Sequence, residues 1–309
     1  MENKSNGNTA DSVAQDLQKQ KDKPVSGLQL FNRAMTSNDT QSYLRSVLGN
    51  RAGSFVNNLV ALVANSTQLQ QCQPYTIMFA ALKATALNLP LDPSLGMAYV
   101  IPFKNNKLGV VEAQFQIGAK GFKELALRTC RFKRINYTDV REGEFVRRNR
   151  LTGDVEFNFE QDDERRLSLP VIGYVSYFSL VDGFESTLYM SKAEVFAHGK
   201  RYSQTFRSTD DRVRNASRWT TDFDDMALKT VLKLNLSRNA PKSVEMQEAF
   251  KADQAVMRGE DSYEYEYVDN QQSADAAVIA VSDEKAQSVA DKFRDFQDFG
   301  TKNKKEEVK

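Results

Sequence analysis

Two rhythms of apolar and polar positions run along this chain. Between Thr40 and Asn88 the period is helical. Thr40–Leu48 reads as a short helix closed by Gly49, and a second over Arg51–Ala64 sets Phe55, Leu59, Leu62 and Val63 on one side. A third begins at Pro74, which suits a first helical position, and runs to Asn88 before Pro90. Ile77, Met78, Ala81, Leu82 and Thr85 are its inward positions. From Met97 the period becomes two. MAYVIPF turns through Lys104–Lys107 and returns as a strand with Ala113, Phe115 and Ile117 on one face. Glu112, Gln114 and Gln116 take the other. Gly118 and Gly121 free the backbone for a sharp turn into a short helix that buries Phe122, Leu125 and Ala126.

Strands follow in close order at Ile135–Arg141, Glu144–Asn149 and Val155–Phe159, then a charged loop over Gln161–Arg166. Val171–Val181 and Phe184–Met190 pair over Asp182-Gly183. Ser191 and Glu194 form a capping box, so a helix starts there and ends near Gly199. Lys200–Arg218 reads as a loop. The last core helix spans Asp222–Arg238, with Phe223, Met226, Ala227, Thr230, Val231 and Leu234 inward. Lys229 and Lys233 lie one turn apart on another face. Short turns imply antiparallel pairing. The expected fold is α+β: an antiparallel sheet with hairpins packed against helices. Residues 1–27 are polar and aperiodic and read as a disordered arm, 28–250 as the core, and 251–309 as an acidic linker and small helical tail. In that tail Asp283–Phe299 sets Ala286, Val289, Ala290, Phe293 and Phe296 at helical spacing, a partner-docking unit.

Charge sharpens this division. The 309 residues carry a formal net charge of +1. Residues 28–250 hold 29 basic against 23 acidic side chains, whereas 251–309 hold 9 against 14. A basic body with an acidic tail suits a nucleic-acid binder. Two cysteines and one histidine cannot build a four-ligand zinc site or a disulfide scaffold. The G-x-x-x-x-G-K-[ST] loop of nucleotide hydrolases is missing, and no dinucleotide fingerprint appears. No cofactor is expected. No apolar run approaches membrane-spanning length and no signal-peptide h-region opens the chain, which reads as cytoplasmic.

The candidate chemistry lies around the glycine turn. Lys120, Lys123, Arg128, Arg131, Lys133 and Arg134 surround its helix, beside Gln114 and Gln116. Two readings stand: the solvated face of a short amphipathic helix, or a platform for a polyanion. Arg201 and Arg218 belong to the arginine-rich loop, and Trp219 reads as a base-stacking platform or a core anchor. Asp222, Asp224 and Asp225 raise a different class, a metal-dependent nuclease. They also suit the opening turn of a helix, where the macrodipole favours negative charge.

Three ordered blocks resemble the RecT/Redβ family of phage single-strand DNA annealing proteins, in its RecT branch. They are LNLPLDPSLGMAYVIPF (Leu87–Phe103), AQFQIGAKGFKELALRT (Ala113–Thr129) and WTTDFDDMALKTVLK (Trp219–Lys233). The arginine-rich insert before Trp219 departs from the family pattern. The resemblance implies a protein that is not an enzyme, which binds single-stranded DNA and promotes pairing with a complementary strand without ATP. It implies homo-oligomers (rings or helical filaments), an annealed duplex intermediate, a 5′-to-3′ exonuclease that exposes the strand, and a host single-strand-binding protein. On this reading Lys120, Lys123, Arg128, Gln114, Gln116, Arg201, Arg218, Trp219, Lys229 and Lys233 are the DNA-contacting set. A passive single-strand binder is the milder alternative to the nuclease.

Overall fold

The chain divides into two compact units, one up to Tyr75 and one from Thr76. The computed structural model describes residues 26–105, 108–253 and 255–256. The arm expected before Ser26 and the amphipathic helix expected near 283–299 lie outside the described residues.

In the first unit, helix α1 (Gly27–Thr36) opens with a capping box in which Ser26 accepts from the Gln29 N–H and Gln29 accepts from the Ser26 N–H. The sequence reading began its helices at Thr40 and missed α1, although its cap was legible. Ser37 caps α2 (Asn38–Leu48), and Gly49 ends it at φ +56°. Helix α3 (Ala52–Ala64) buries Ala52, Val56, Leu59 and Val63. Val56 is deeper than the expected Phe55, a rotation of about one residue in the inward face.

The second unit runs through α4 (Pro74–Ala86), the β1 (Ala98–Asn105) and β2 (Val110–Ile117) hairpin, α5 (Ala119–Arg128), and β3 (Phe132–Arg141). The β4 (Phe145–Arg148) and β5 (Val155–Phe157) hairpin, α6 (Asp163–Ser168), and the β6 (Val171–Leu180) and β7 (Glu185–Ser191) hairpin follow. Then come α7 (Lys192–Tyr202), α8 (Asp211–Asn215), α9 (Arg218–Thr221), α10 (Phe223–Asn239), α11 (Val244–Ala252) and β8 (Ala255–Val256). All strand pairs are antiparallel, so the α+β expectation holds.

One sheet has the order β1-β2-β8. Its central strand departs from the expected half-buried pattern. Glu112 and Gln114 are as deeply buried as Ala113 and Phe115, because β2 is covered on both faces. Glu112 takes a hydrogen bond from Asn105 Nδ2 at 2.9 Å. The Thr76 hydroxyl accepts from the Ala113 N–H at 2.9 Å and ties α4 to this strand. The glycines that follow serve a different purpose from the one expected. Gly118 has an ordinary φ of −77°. A Cβ there would lie 2.0 Å from the Gly96 carbonyl oxygen, and one at Gly121 2.1 Å from that of Met97. Both positions exclude a side chain so that α5 can lie against the backbone that enters β1.

Strands β4 and β5 pair as a two-stranded sheet, and a second three-stranded sheet has the order β3-β6-β7. Helix α10 covers one face. There the fully buried Asn235 donates to the Ser176 carbonyl at 3.0 Å and accepts from the Ser186 hydroxyl at 2.9 Å. The β4–β5 hairpin leans on the opposite face, with Phe145 stacked on Tyr189 at 4.8 Å. Buried Glu144 anchors the base of this hairpin. It accepts from Arg166 Nε at 2.6 Å and from the Arg141 N–H at 2.7 Å. Burial alone raises its pKa, but the hydrogen bond from Arg166 and the other donors outweigh it and hold the carboxyl low. Arg166 sits on α6, where a loop was expected over Gln161–Arg166. Asp162 caps this one-turn helix, which is too short to show periodicity. Helix α7 starts at the expected capping box and continues past Gly199 to Tyr202. Helices α8 and α9 interrupt the expected Lys200–Arg218 loop, and α11, capped by Ser243, was not foreseen. Among the described residues no helix is long and apolar enough to cross a membrane.

His198, on α7, is held neutral. Burial lowers its pKa from 6.5 to about 4, helped by the charges of Lys233, Arg238 and Arg201. The unfolded chain therefore takes up this proton first. Stability present above about pH 6.5 is lost as pH falls toward 4. A His198→Gln variant is expected to lose roughly 1–2 kcal/mol less than wild type between pH 7 and pH 5. Urea melts at the two pH values check this; equal losses in both proteins would remove His198 as the cause.

Candidate nucleic-acid interface

A cation that already holds an acid cannot offer its full charge to a phosphate. The basic residues therefore separate by what they touch. Lys120 is exposed at the start of α5 and Lys123 is half-buried one turn on. Arg131, Lys133 and Arg134 are exposed just beyond the helix. Among the described residues none of these five has an ion-pair partner. A register shift between Phe132 and Arg134 sets Lys133 as the extra residue of a bulge, which is why two successive cations are exposed at the start of β3.

Arg128 differs. Its guanidinium donates to the carbonyls of Leu87 at 2.9 Å and Asn88 at 2.8 Å, and pairs with Glu124 at 3.1 Å and Glu245 at 3.4 Å. It clamps the end of α4 to α5 and α11. Gln114 is 3% exposed, and its Nε2 has no hydrogen-bond partner among the described residues. Gln116 is half-buried.

Lys229 and Lys233 do not stand on a solvated face. Both are half-buried, and they flank Asp253, whose side chain is 0% exposed. Lys233 is ion-paired with Asp253 and lies 5.8 Å from the centre of the Phe122 ring. Asp253 also accepts from the Ile117 N–H at 2.7 Å. Burial alone raises the Asp253 pKa, but the Lys233 and Lys229 charges and the backbone donor hold it below the ordinary value. Burial lowers the Lys229 pKa; Asp253 opposes that and Lys233 adds to it. This internal triad joins β2 and α10 to Asp253, the residue that ends α11. Sequence reasoning missed Asp253 because it lies past the expected end of the core and in no recognisable motif.

The remaining expected residues lie around α7 to α10. Trp219 is 8% exposed, with its ring stacked on Phe206 at 5.8 Å. A Cβ on Gly199 would come within 2.7 Å of that ring. The indole is a packed anchor and not an open stacking platform. Arg201 is exposed, its guanidinium 5.3 Å from the Tyr202 ring. Arg218 is exposed and paired with Asp222 at 2.6 Å. That bond and one from Thr221 lower the Asp222 pKa. Asp224 accepts from the Tyr174 hydroxyl. Two of the three aspartates raised for a nuclease, Asp222 and Asp224, thus have structural partners. Among the described residues no group of three or more His, Cys, Asp or Glu is placed to hold a metal ion.

Comparison with known proteins gives the lineage of this arrangement. The model of the RecT family matches residues 53–269. The uncharacterized protein YqaK of Bacillus subtilis (strain 168) is 37% identical over 243 residues, 78% of each chain. Protein RecT of Escherichia coli (strain K12) is 27% identical over 223 residues, covering 65% of this chain and 74% of that one. The family match spans the β1–β2 hairpin, α5, all three sheets and the Asp253 triad.

Replacing Asp253 with Ala leaves two half-buried cations without their counter-charge and the Ile117 N–H without an acceptor. The expected loss of stability is about 3–5 kcal/mol. Asp253→Asn, which keeps an acceptor but loses the charge, is expected to fall between. Denaturant unfolding measures both, and an Ala variant as stable as wild type would show that the triad is not a structural tie.

Proposed function

The chain belongs to the RecT family, and from that premise we propose that it binds single-stranded DNA and anneals it to a complementary strand without ATP, in homologous recombination. The observation that carries the reading is the run of unpaired cations Lys120, Lys123, Arg131, Lys133 and Arg134 on α5 and the start of β3. Annealing brings two polyanions together, so charge must be available to phosphates rather than spent on the protein's own acids. The contacts should fall on the backbone and tolerate any sequence, leaving bases free to pair. Lys120 and Lys123 are the primary contacts in this reading. Arg201 contributes from α7. Lys229, Lys233 and Arg128 act behind them by holding α5 in place. A single protomer covers few nucleotides, so homo-oligomers, as rings or helical filaments, carry the strand and the annealed duplex intermediate. A 5′-to-3′ exonuclease supplies the single strand, and the host single-strand-binding protein is displaced from it.

The test mixes complementary oligonucleotides with protein in the presence of chelator and without ATP. Faster duplex formation supports annealing. Strand shortening on adding magnesium instead supports the nuclease, and tight binding without acceleration supports a passive binder. Lys120→Ala and Lys123→Ala are each expected to weaken binding about equally across sequences and to reduce the slope of log affinity against log salt by roughly one. An unchanged slope assigns them to a merely solvated helix face.

The tail separates from this activity. The acidic run from Glu260 to Asp275 repels a phosphate backbone, whereas residues 283–309 combine an apolar stripe with cations suited to an acidic peptide. Truncation must spare β8, which pairs with β2 through Ala255 and Val256. A chain ending at residue 260 is expected to anneal naked strands at the wild-type rate and to lose its advantage on strands coated with the host protein. Loss of annealing on naked DNA would place the tail within the core machinery.

A further inference from the structure

The outward face of the β3-β6-β7 sheet carries an open aromatic concavity. The cross-strand row Asn136–Tyr177–Thr187 forms its floor. Phe157 and Phe159, stacked on each other at 5.3 Å, form one wall as the β4–β5 hairpin leans over the sheet. Thr138 continues the polar side. Its volume is about 270 Å³, near the lower end of ligand clefts at roughly 300 Å³. That suits one or two planar rings and not a coenzyme. Tyr177 lies in the central strand, half-buried, and among the described residues neither its ring nor its hydroxyl has a partner. With Phe157 and Phe159 it makes a contiguous half-open aromatic surface, and such patches mark binding grooves.

The rim identifies the chemistry. Arg134 lies two residues before Asn136, so it shares that face at about 7 Å along the strand. It belongs to the unpaired cations already described. Across the concavity, Arg148 is the ladder partner of Val155, another lining residue. Its Nε is buried with no hydrogen-bond partner, and its guanidinium has no acid partner among the described residues. Glu185, opposite Ser179 in the Arg134 row, pairs with neither arginine, and Asp139, which accepts from the lining Thr138 hydroxyl at 3.2 Å, is ion-paired with Arg141 and Arg166. The concavity therefore combines ring faces, an amide and hydroxyls with both donor and acceptor capacity, and flanking cations. That combination fits a nucleobase still joined to its phosphate.

We infer that this groove takes an unstacked base of a single strand, one or two per protomer, and so distinguishes single strands from duplex. The inference rests on the annealing reading and adds a second contact to it. Cations on α5 attract any polyanion, but a paired base inside a helix cannot enter a groove on a sheet. Preference for single strands then resides on the sheet, while the salt-dependent affinity resides on α5 and the start of β3. Release of the base when it finds its complement costs only that stacking contact and leaves the phosphate contacts in place.

The test compares fluorescence anisotropy of a labelled oligonucleotide with that of an abasic strand of equal length. Tyr177→Ala is expected to weaken binding of the intact strand on the order of ten-fold. It should leave the abasic strand and the salt slope unchanged, and Tyr177→Phe should bind both as wild type does. Asn136→Ala, at an exposed position, should show the same pattern to a smaller degree and guards against a folding defect in the first variant. Equal losses on both strands, or no loss on either, overturn the groove while annealing stands. A change of oligomeric state with unaltered base dependence overturns it too, by making the face a contact between copies. If the wild type binds neither strand, the annealing reading fails and the groove falls with it.

Discussion

The buried Asp253 carboxylate is the tie on which the geometry of the second unit depends. A charge with no solvent exposure survives only when its desolvation is offset locally. Here the offset comes from three elements distant in sequence: Lys233 and Lys229 on α10, and the Ile117 N–H at the end of β2. Ile117 is followed immediately by the glycine turn and α5. The same carboxylate precedes β8, which extends the sheet from β2. One group therefore fixes the far edge of the sheet, the start of α5 and the position of α10. Phe122, between Lys233 and Phe250, gives this polar tie an apolar backing. Residues near 229 and 233 can affect DNA binding on this account without touching DNA.

That tie also explains what could be read from the sequence. Elements with several turns or clean alternation were legible: α2, α3, α4, the two long hairpins and α10 were all anticipated from their periods and caps. The family too was legible, because three ordered blocks carried it. What failed was information that lies in tertiary coverage. The alternation in β2 marked Glu112 and Gln114 as solvent-facing, but an alternating pattern does not reveal that both faces of a central strand are covered. Short helices such as α6 and α8 have too few residues to show a period. Asp253 sits in a sequence that resembles the beginning of a tail.

The candidate site was legible as a list of cations but not as a division among them. Spacing alone treats Lys120, Arg128 and Lys233 alike. The structure separates them by their partners: carbonyls and acids for Arg128, a buried carboxylate for Lys233, and, among the described residues, no acid partner for Lys120. Free energy that a cation gains from an internal acid is not available to an external phosphate. Residues of the first kind build the surface and those of the second are left for a ligand. Trp219 follows the same logic among the aromatics. Its ring is consumed by Phe206 and the closeness of Gly199, whereas Tyr177 remains half-open on the sheet.

An annealing protein faces opposed requirements, and this partition offers a physical way to meet them. Strong phosphate binding to both strands would trap the product, since a duplex carries twice the charge of either strand. Strong base binding would block pairing. Cations on α5, at the start of β3 and on α7, together with the inferred groove for one or two bases, would keep each contribution modest. On the annealing reading, pairing itself withdraws the base from the groove, so the affinity lost at that step is small and falls at the moment the product forms. The duplex is then held by phosphate contacts alone, which weaken with salt. The direction of the reaction would come from the pairing energy of the strands, in keeping with a chain that lacks the phosphate-binding loop of ATP-driven recombinases.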